Sequence, residues 1–152
     1  MKRFSTRHGV SHSASDMFAL VADVEAYPQF VPLCSSLRVR SRNKDGEGRE
    51  LVVADMTVAY KLIRETYTSR ILLNEPALTI DVSNIDGPFE RLENAWAFHP
   101  VEANSCEVEF NLIYGFKSRT FEAVAGLVFD RAFSHFSESF EKRADVIYGH
   151  AV

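Results

Sequence analysis

The stretch CEVEFNLIYGF, residues 106–116, alternates without a break. Cys106, Val108, Phe110, Leu112, Tyr114 and Phe116 fall on one side of an extended chain, with Glu107, Glu109 and Asn111 on the other. Alternation of this kind predicts a β-strand with one buried face. Directly after it, residues 118–148 contain no proline and one glycine, Gly126. At 100° per residue, Phe129, Phe133, Phe136, Phe140, Ala144 and Ile147 form a single stripe. The segment therefore reads as one long helix, about 45 Å at 1.5 Å per residue, enough to cross a whole sheet.

Upstream, the same period of two recurs. Leu37 and Val39 alternate with Arg38, Arg40 and Arg42, and residues 43–48 supply a hairpin turn. Val52, Ala54, Met56 and Val58 point one way, residues 61–73 alternate more loosely, and Leu78, Ile80 and Val82 oppose Thr79, Asp81 and Ser83. After Asp86-Gly87-Pro88 comes a strand with Leu92, Trp96 and Phe98. Phe4 to Val10 reads as a first strand, and Ser13-Ala14-Ser15-Asp16 opens a helix in the manner of a capping box. Met17, Phe18, Leu20, Val21 and Val24 stripe that helix, and Pro28 is expected to end it. The order is strand, helical segment, six strands, long helix, within one domain over 1–152. Consecutive strands joined by short turns form an antiparallel meander, so the class is α+β with helices segregated to one face.

Composition narrows the function. Twelve phenylalanines stand against five tyrosines and one tryptophan, so the interior is wide and apolar. A net charge of −4 argues against DNA as a partner, because such binding runs on phosphate neutralisation. Cys34 and Cys106 lie far apart, outside any metal-ligand spacing, and read as packed thiols in a reducing compartment. No apolar run is long enough to span a bilayer, and MKRFSTRHGVSHSAS lacks the apolar core of a signal peptide. The expected location is the cytoplasm.

Catalytic and metal sites are not expected. No G-x-S-x-G, P-loop or G-x-G-x-x-G occurs, and His8 and His12, though four apart, straddle a strand-to-helix turn. The expectation is a binding protein, not an enzyme, without a resident cofactor. Met56, Phe89, Trp96, Leu112, Phe129, Phe133 and Phe136 converge on the inward faces and are the candidate lining of a ligand cavity, joined by Phe30 and Leu33 from the Pro-bracketed loop. The first half of the last helix is apolar nearly all round. Val124 and Leu127 project off the Phe stripe, either buried under the 28–32 segment or the 86–89 loop, or exposed as a rim toward a membrane, ligand tail or partner. Gly126 in mid-helix reads first as a close-packing site and second as room for a ligand. The Arg38/Arg40/Arg42 ladder with Lys44 reads as a solvated face or as a device that steers the domain to anionic lipid or RNA.

Four blocks carry a family resemblance: Tyr27-Pro28-Gln29-Phe30-Val31-Pro32-Leu33-Cys34, Asp86-Gly87-Pro88-Phe89-Glu90-Arg91-Leu92, Trp96-Ala97-Phe98 and the Phe-rich final helix. In this order, over about residues 3–148, they resemble the START-like group of coenzyme Q-binding proteins and ribosome-association toxins (RatA) within the polyketide cyclase/START superfamily. Leu33 stands where that group usually has Trp, and Asn94 where Gly is common, which implies a local backbone adjustment. The resemblance implies a helix-grip (Bet v 1-like) fold, a curved antiparallel sheet wrapped around a long C-terminal helix. It implies ubiquinone (coenzyme Q) or a related polyprenyl lipid in the cavity between them, in support of respiratory electron transport, with peripheral contact at the inner membrane. Alternatives it implies are ribosome binding that inhibits subunit association, and a START-like cyclase/aromatase enzyme.

Overall fold

The computed structural model describes residues 1–149. The strand that alternates most strictly, β7 (Ser105–Phe116), lies second from one edge of the sheet and pairs antiparallel with β1 (Lys2–Val10) on one side and β6 (Phe89–Glu102) on the other. Beyond β6 follow β5 (Thr79–Asp86), β4 (Ile63–Asn74), β3 (Arg49–Tyr60) and β2 (Cys34–Lys44), giving the order β1-β7-β6-β5-β4-β3-β2. Strands adjacent in the chain at its start thus lie on opposite edges. The segment that joins them crosses the concave face as α1 (Ala14–Ala22) and a 3-10 helix (Val24–Gln29). Ser13 Oγ accepts the Asp16 N–H at 3.1 Å, the cap that the sequence announces.

Helix α1 stops at Ala22, six residues before Pro28. Asp23 leaves the helical region (φ −81°, ψ 70°) while its N–H still reaches Ala19 O, and the chain tightens into the 3-10 turn that contains Pro28. The buried Tyr27 hydroxyl donates to Val21 O at 2.5 Å and locks the two pieces together.

The single long helix is two helices: α2 (Arg119–Ser134) and α3 (Phe136–Tyr148), joined at His135 (φ −105°, ψ 6°). Neither proline nor glycine makes the break. Ser134 Oγ donates to Arg131 O at 3.0 Å, and Ser139 Oγ to Phe136 O at 2.6 Å, so hydroxyls compete with the backbone ladder on both sides of the joint. The stripe survives it: Phe129, Phe133, Phe140 and Ala144 are buried and Phe136 packs against the core. Ile147 does not belong to it; at 50% exposed it lies in the last turn, at the end of α3.

The aromatic residues form two groups. Phe89 is the hub of one, with ring centroids 5.1 Å from Tyr67, 5.2 Å from Phe116 and 5.4 Å from Phe129. Trp96 and Phe140 centre the other, 5.1 Å apart, with Phe110 4.8 Å from Trp96 and Tyr27 5.0 Å from Phe140. Phe133 and Phe136, on either side of the His135 joint, link them at 6.5 Å. Edge-to-face and offset pairs at such spacings add to simple area burial. One glycine is obligatory here: Gly87 (φ 133°) turns the chain against Tyr67, whose Cβ would lie 2.6 Å from an added Cβ.

Candidate ligand cavity

The concave face of the sheet meets α2 and α3 around an interior cavity of about 60 Å³. Met56, Leu112, Phe133 and Phe136 line it, as the inward periodicity predicts. The rest of the apolar wall comes from Tyr27, Leu37, Ala54, Ile71, Val82, Leu92 and Phe110. Three polar side chains also face it: Tyr67, Ser69 and Asn94.

The other expected lining residues lie elsewhere. Trp96 is 2% exposed and sits behind the wall, its Nε1–H donating to Asn94 Oδ1 at 2.9 Å. Phe89 and Phe129 are consumed by the first aromatic group, where large rings fill the space between sheet and helix. Phe30 faces a surface groove beside α3, its ring 5.0 Å from Phe140 and under the Arg143 guanidinium at 5.3 Å. Leu33 occupies a left-handed conformation (φ 61°), its carbonyl accepting the Ala59 N–H at 3.0 Å, and packs against the core beside the loop.

Asn94 is more than a backbone adjustment. Its side chain is buried, accepting from Trp96 and donating from Nδ2 to Asn111 O at 2.9 Å, and so fixes the tryptophan ring from the cavity wall. Tyr67 donates to the thioether Met56 Sδ at 3.4 Å. Burial raises both Tyr27 and Tyr67 far above the ordinary phenol range, so each is a neutral hydroxyl at any physiological pH. Ser69 is 6% exposed. Tyr67 and Ser69 were legible in principle: stepping back by twos from the inward Leu73 and Ile71 reaches Ser69 and then Tyr67. Their polarity is what loosens the alternation of residues 61–73.

Away from the cavity, Val124 and Leu127 are exposed, at 68% and 84%, on the outward side of α2. Burial beneath the neighbouring loops is therefore not their arrangement. Gly126 has room: an added Cβ would meet only Glu122 Cγ, at 3.4 Å, so close packing does not explain it. The basic ladder of β2 is split. Arg38 lies opposite the outward Asp55, and Arg40, left unpaired by a register shift between Val39 and Ser41, reaches the same carboxylate with Nε at 2.7 Å. Past the shift, Arg42 pairs with the inward Val52 and turns to Glu25 (3.0 Å) and Glu50 (3.3 Å) on the concave side. Among the described residues, no three His, Cys, Asp or Glu side chains converge as a metal site, and no helix is long and apolar enough to cross a membrane.

A curved seven-stranded antiparallel sheet closed by C-terminal helices over an apolar cavity is the helix-grip class of START and Bet v 1-like proteins. Residues 10–141 match the family described as polyketide cyclase / dehydrase and lipid transport, and the chain belongs to that family. It is 36% identical over 149 residues to the ribosome association toxin RatA of Vibrio cholerae, covering 98% of this chain and 99% of that protein. It is 32% identical over 130 residues to the mitochondrial coenzyme Q-binding protein COQ10 of Drosophila melanogaster, covering 84% of this chain and 52% of that one. Among solved structures it is similar to a START superfamily protein from Mycobacterium smegmatis, with a TM-score of 0.76 at 20% identity over 95% of this chain and 98% of the other.

Proposed function

We propose that this protein binds a prenylated quinone of the ubiquinone kind, without transforming it, and carries it between the cavity and a membrane surface in support of respiration. The observation that carries this reading is the apolar cavity between the sheet and the C-terminal helices, whose few polar members are neutral hydroxyls and an amide. Similarity to a protein named for binding coenzyme Q supports the ligand class. Pockets for small molecules span roughly 300–1,000 Å³, so a cavity of about 60 Å³ has to widen to admit a ring. The His135 joint is where that happens in this reading: Phe133 and Phe136 flank it and form the helical side of the cavity. Val124 and Leu127 form the rim that touches the bilayer, so the tail need not cross water at about 0.8 kcal/mol per CH₂.

The test is extraction of purified protein with organic solvent followed by mass spectrometry, together with titration of the apo protein by a short-tailed ubiquinone. A prenylated quinone in the extract and saturable 1:1 binding are expected; an extract free of lipid and a flat titration overturn the reading.

A second reading, ribosome association, is favoured by full-length similarity to proteins named for it. Charge-driven binding of that kind weakens steeply with salt. In that case co-sedimentation with ribosomal subunits is lost on raising salt and on changing Arg38 and Arg40 to Glu, while quinone binding responds to neither. The split of the arginine ladder and the pairing of Arg40 and Arg42 with carboxylates weigh against a continuous basic face.

A further inference from the structure

The inward face of β4 changes character halfway along. Leu73 and Ile71 are buried hydrocarbons; the next two inward positions are Ser69 and Tyr67, each 6% exposed and each lining the cavity. Residues two apart on a strand project to the same side, about 7 Å apart at their Cα atoms. Buried hydroxyls are nearly always hydrogen-bonded, yet these two are poorly served. The Ser69 hydroxyl has no hydrogen-bond partner among the described residues, and its oxygen is not sealed from the cavity. The Tyr67 hydroxyl donates only to Met56 Sδ, and a thioether is a weak acceptor. The remaining polar groups of the cavity are committed: Asn94 to Trp96 and Asn111, Tyr27 to Val21 O.

We propose that Tyr67 and Ser69 are the head-group site of the cavity, two O–H donors that bind the carbonyl oxygen of a neutral ring whose apolar tail runs along the remaining hydrocarbon wall. This rests on the ligand-binding reading above and adds to it the end of the cavity that recognises the head. The chemistry excludes charged heads. Among the described residues, no carboxylate, ammonium or guanidinium lines the cavity, so an ionised group would be desolvated without a counter-charge. A pure hydrocarbon would leave both donors unsatisfied. A ring carbonyl is a far stronger acceptor than sulfur, so Tyr67 exchanges Met56 for the ligand. Ser69 sits opposite Ala54, whose small side chain leaves the approach to its hydroxyl open.

Trp96 is the only tryptophan, and its ring contacts Phe110 and Phe136 of the lining, so its fluorescence reports occupancy. Wild type, Tyr67→Phe and Ser69→Ala are titrated with a short-tailed ubiquinone, and the bound quinone is then displaced with a prenyl hydrocarbon of the same tail length. Each variant is expected to bind the quinone about tenfold more weakly, which is about 1.4 kcal/mol, with the hydrocarbon's affinity unchanged. Ser69→Ala without ligand keeps the wild-type melting temperature, because the hydroxyl holds no structural bond. The proposal is overturned if quinone affinity is unchanged in both variants, if quinone and hydrocarbon weaken together, or if Ser69→Ala alone melts markedly earlier. In those cases the ligand-binding reading stands. Failure of wild type to bind either probe overturns both.

Discussion

His12 Nε2 donates to Asp145 Oδ1 across 2.8 Å, joining the turn after β1 to the last helix over 133 residues of sequence. The histidine is buried, while Asp145 is partly open to solvent. Removing the carboxylate leaves a buried donor without that acceptor, a loss of about 1–3 kcal/mol. Asp145→Ala is expected to lower the midpoint of urea unfolding accordingly, with Asp145→Asn retaining part of the loss because its amide oxygen still accepts. A midpoint equal to wild type for Asp145→Ala would show that the bond adds nothing to the docking of α3.

Burial pushes the Cys34 and Cys106 thiols up to about 11. The thiolate is the reactive form, so native protein at pH 8 is expected to resist iodoacetamide while urea-unfolded protein is alkylated at once. The same shift has a sign for stability. Below the ordinary thiol value of about 8.5 both states are neutral and nothing is lost; as pH rises from there toward about 11 the unfolded chain ionises first and stability falls. Replacing both cysteines by alanine should flatten that alkaline decline, whatever it does to the absolute melting temperature.

Val124 and Leu127 are exposed, so Val124→Glu/Leu127→Glu buries no charge and should shift stability by no more than about 0.5 kcal/mol per site. Binding to liposomes and loading with quinone from them should drop. A thermal melt precedes the functional assay, and a liposome affinity identical to wild type removes the rim from the proposed function.

Gly126 is buried in mid-helix, yet the nearest atom to an added Cβ is the side-chain Glu122 Cγ at 3.4 Å, an ordinary contact distance. Gly126→Ala is expected to stabilise by up to about 1 kcal/mol through helix propensity. If the position serves widening of the cavity, quinone loading slows in the same variant, which separates the two roles of the glycine by one melt and one loading curve.

The sequence by itself determined the strand pattern, the antiparallel meander and the stripe of phenylalanines that docks the last helices. These follow from periods of two and 3.6, which are properties of neighbouring residues. It also marked Met56, Leu112, Phe133 and Phe136 as inward, and they do border the cavity. Tertiary structure alone decided the rest. The join at His135 arises from serine hydroxyls competing for carbonyls, with none of the proline or glycine that marks a break in a sequence. The arginine ladder reads as uniform until the pairing of β2 with β3 inserts a shift at residues 39–41 and sends Arg42 to the other face. Trp96, Phe89 and Phe129 point inward as expected, yet Phe89 packs against Phe129 and Trp96 against Phe140, so none of the three lines the cavity. Periodicity reports which way a side chain points. Whether it borders open volume depends on the sizes of neighbours brought from five other strands and two helices, and that is settled only when the sheet curves and closes.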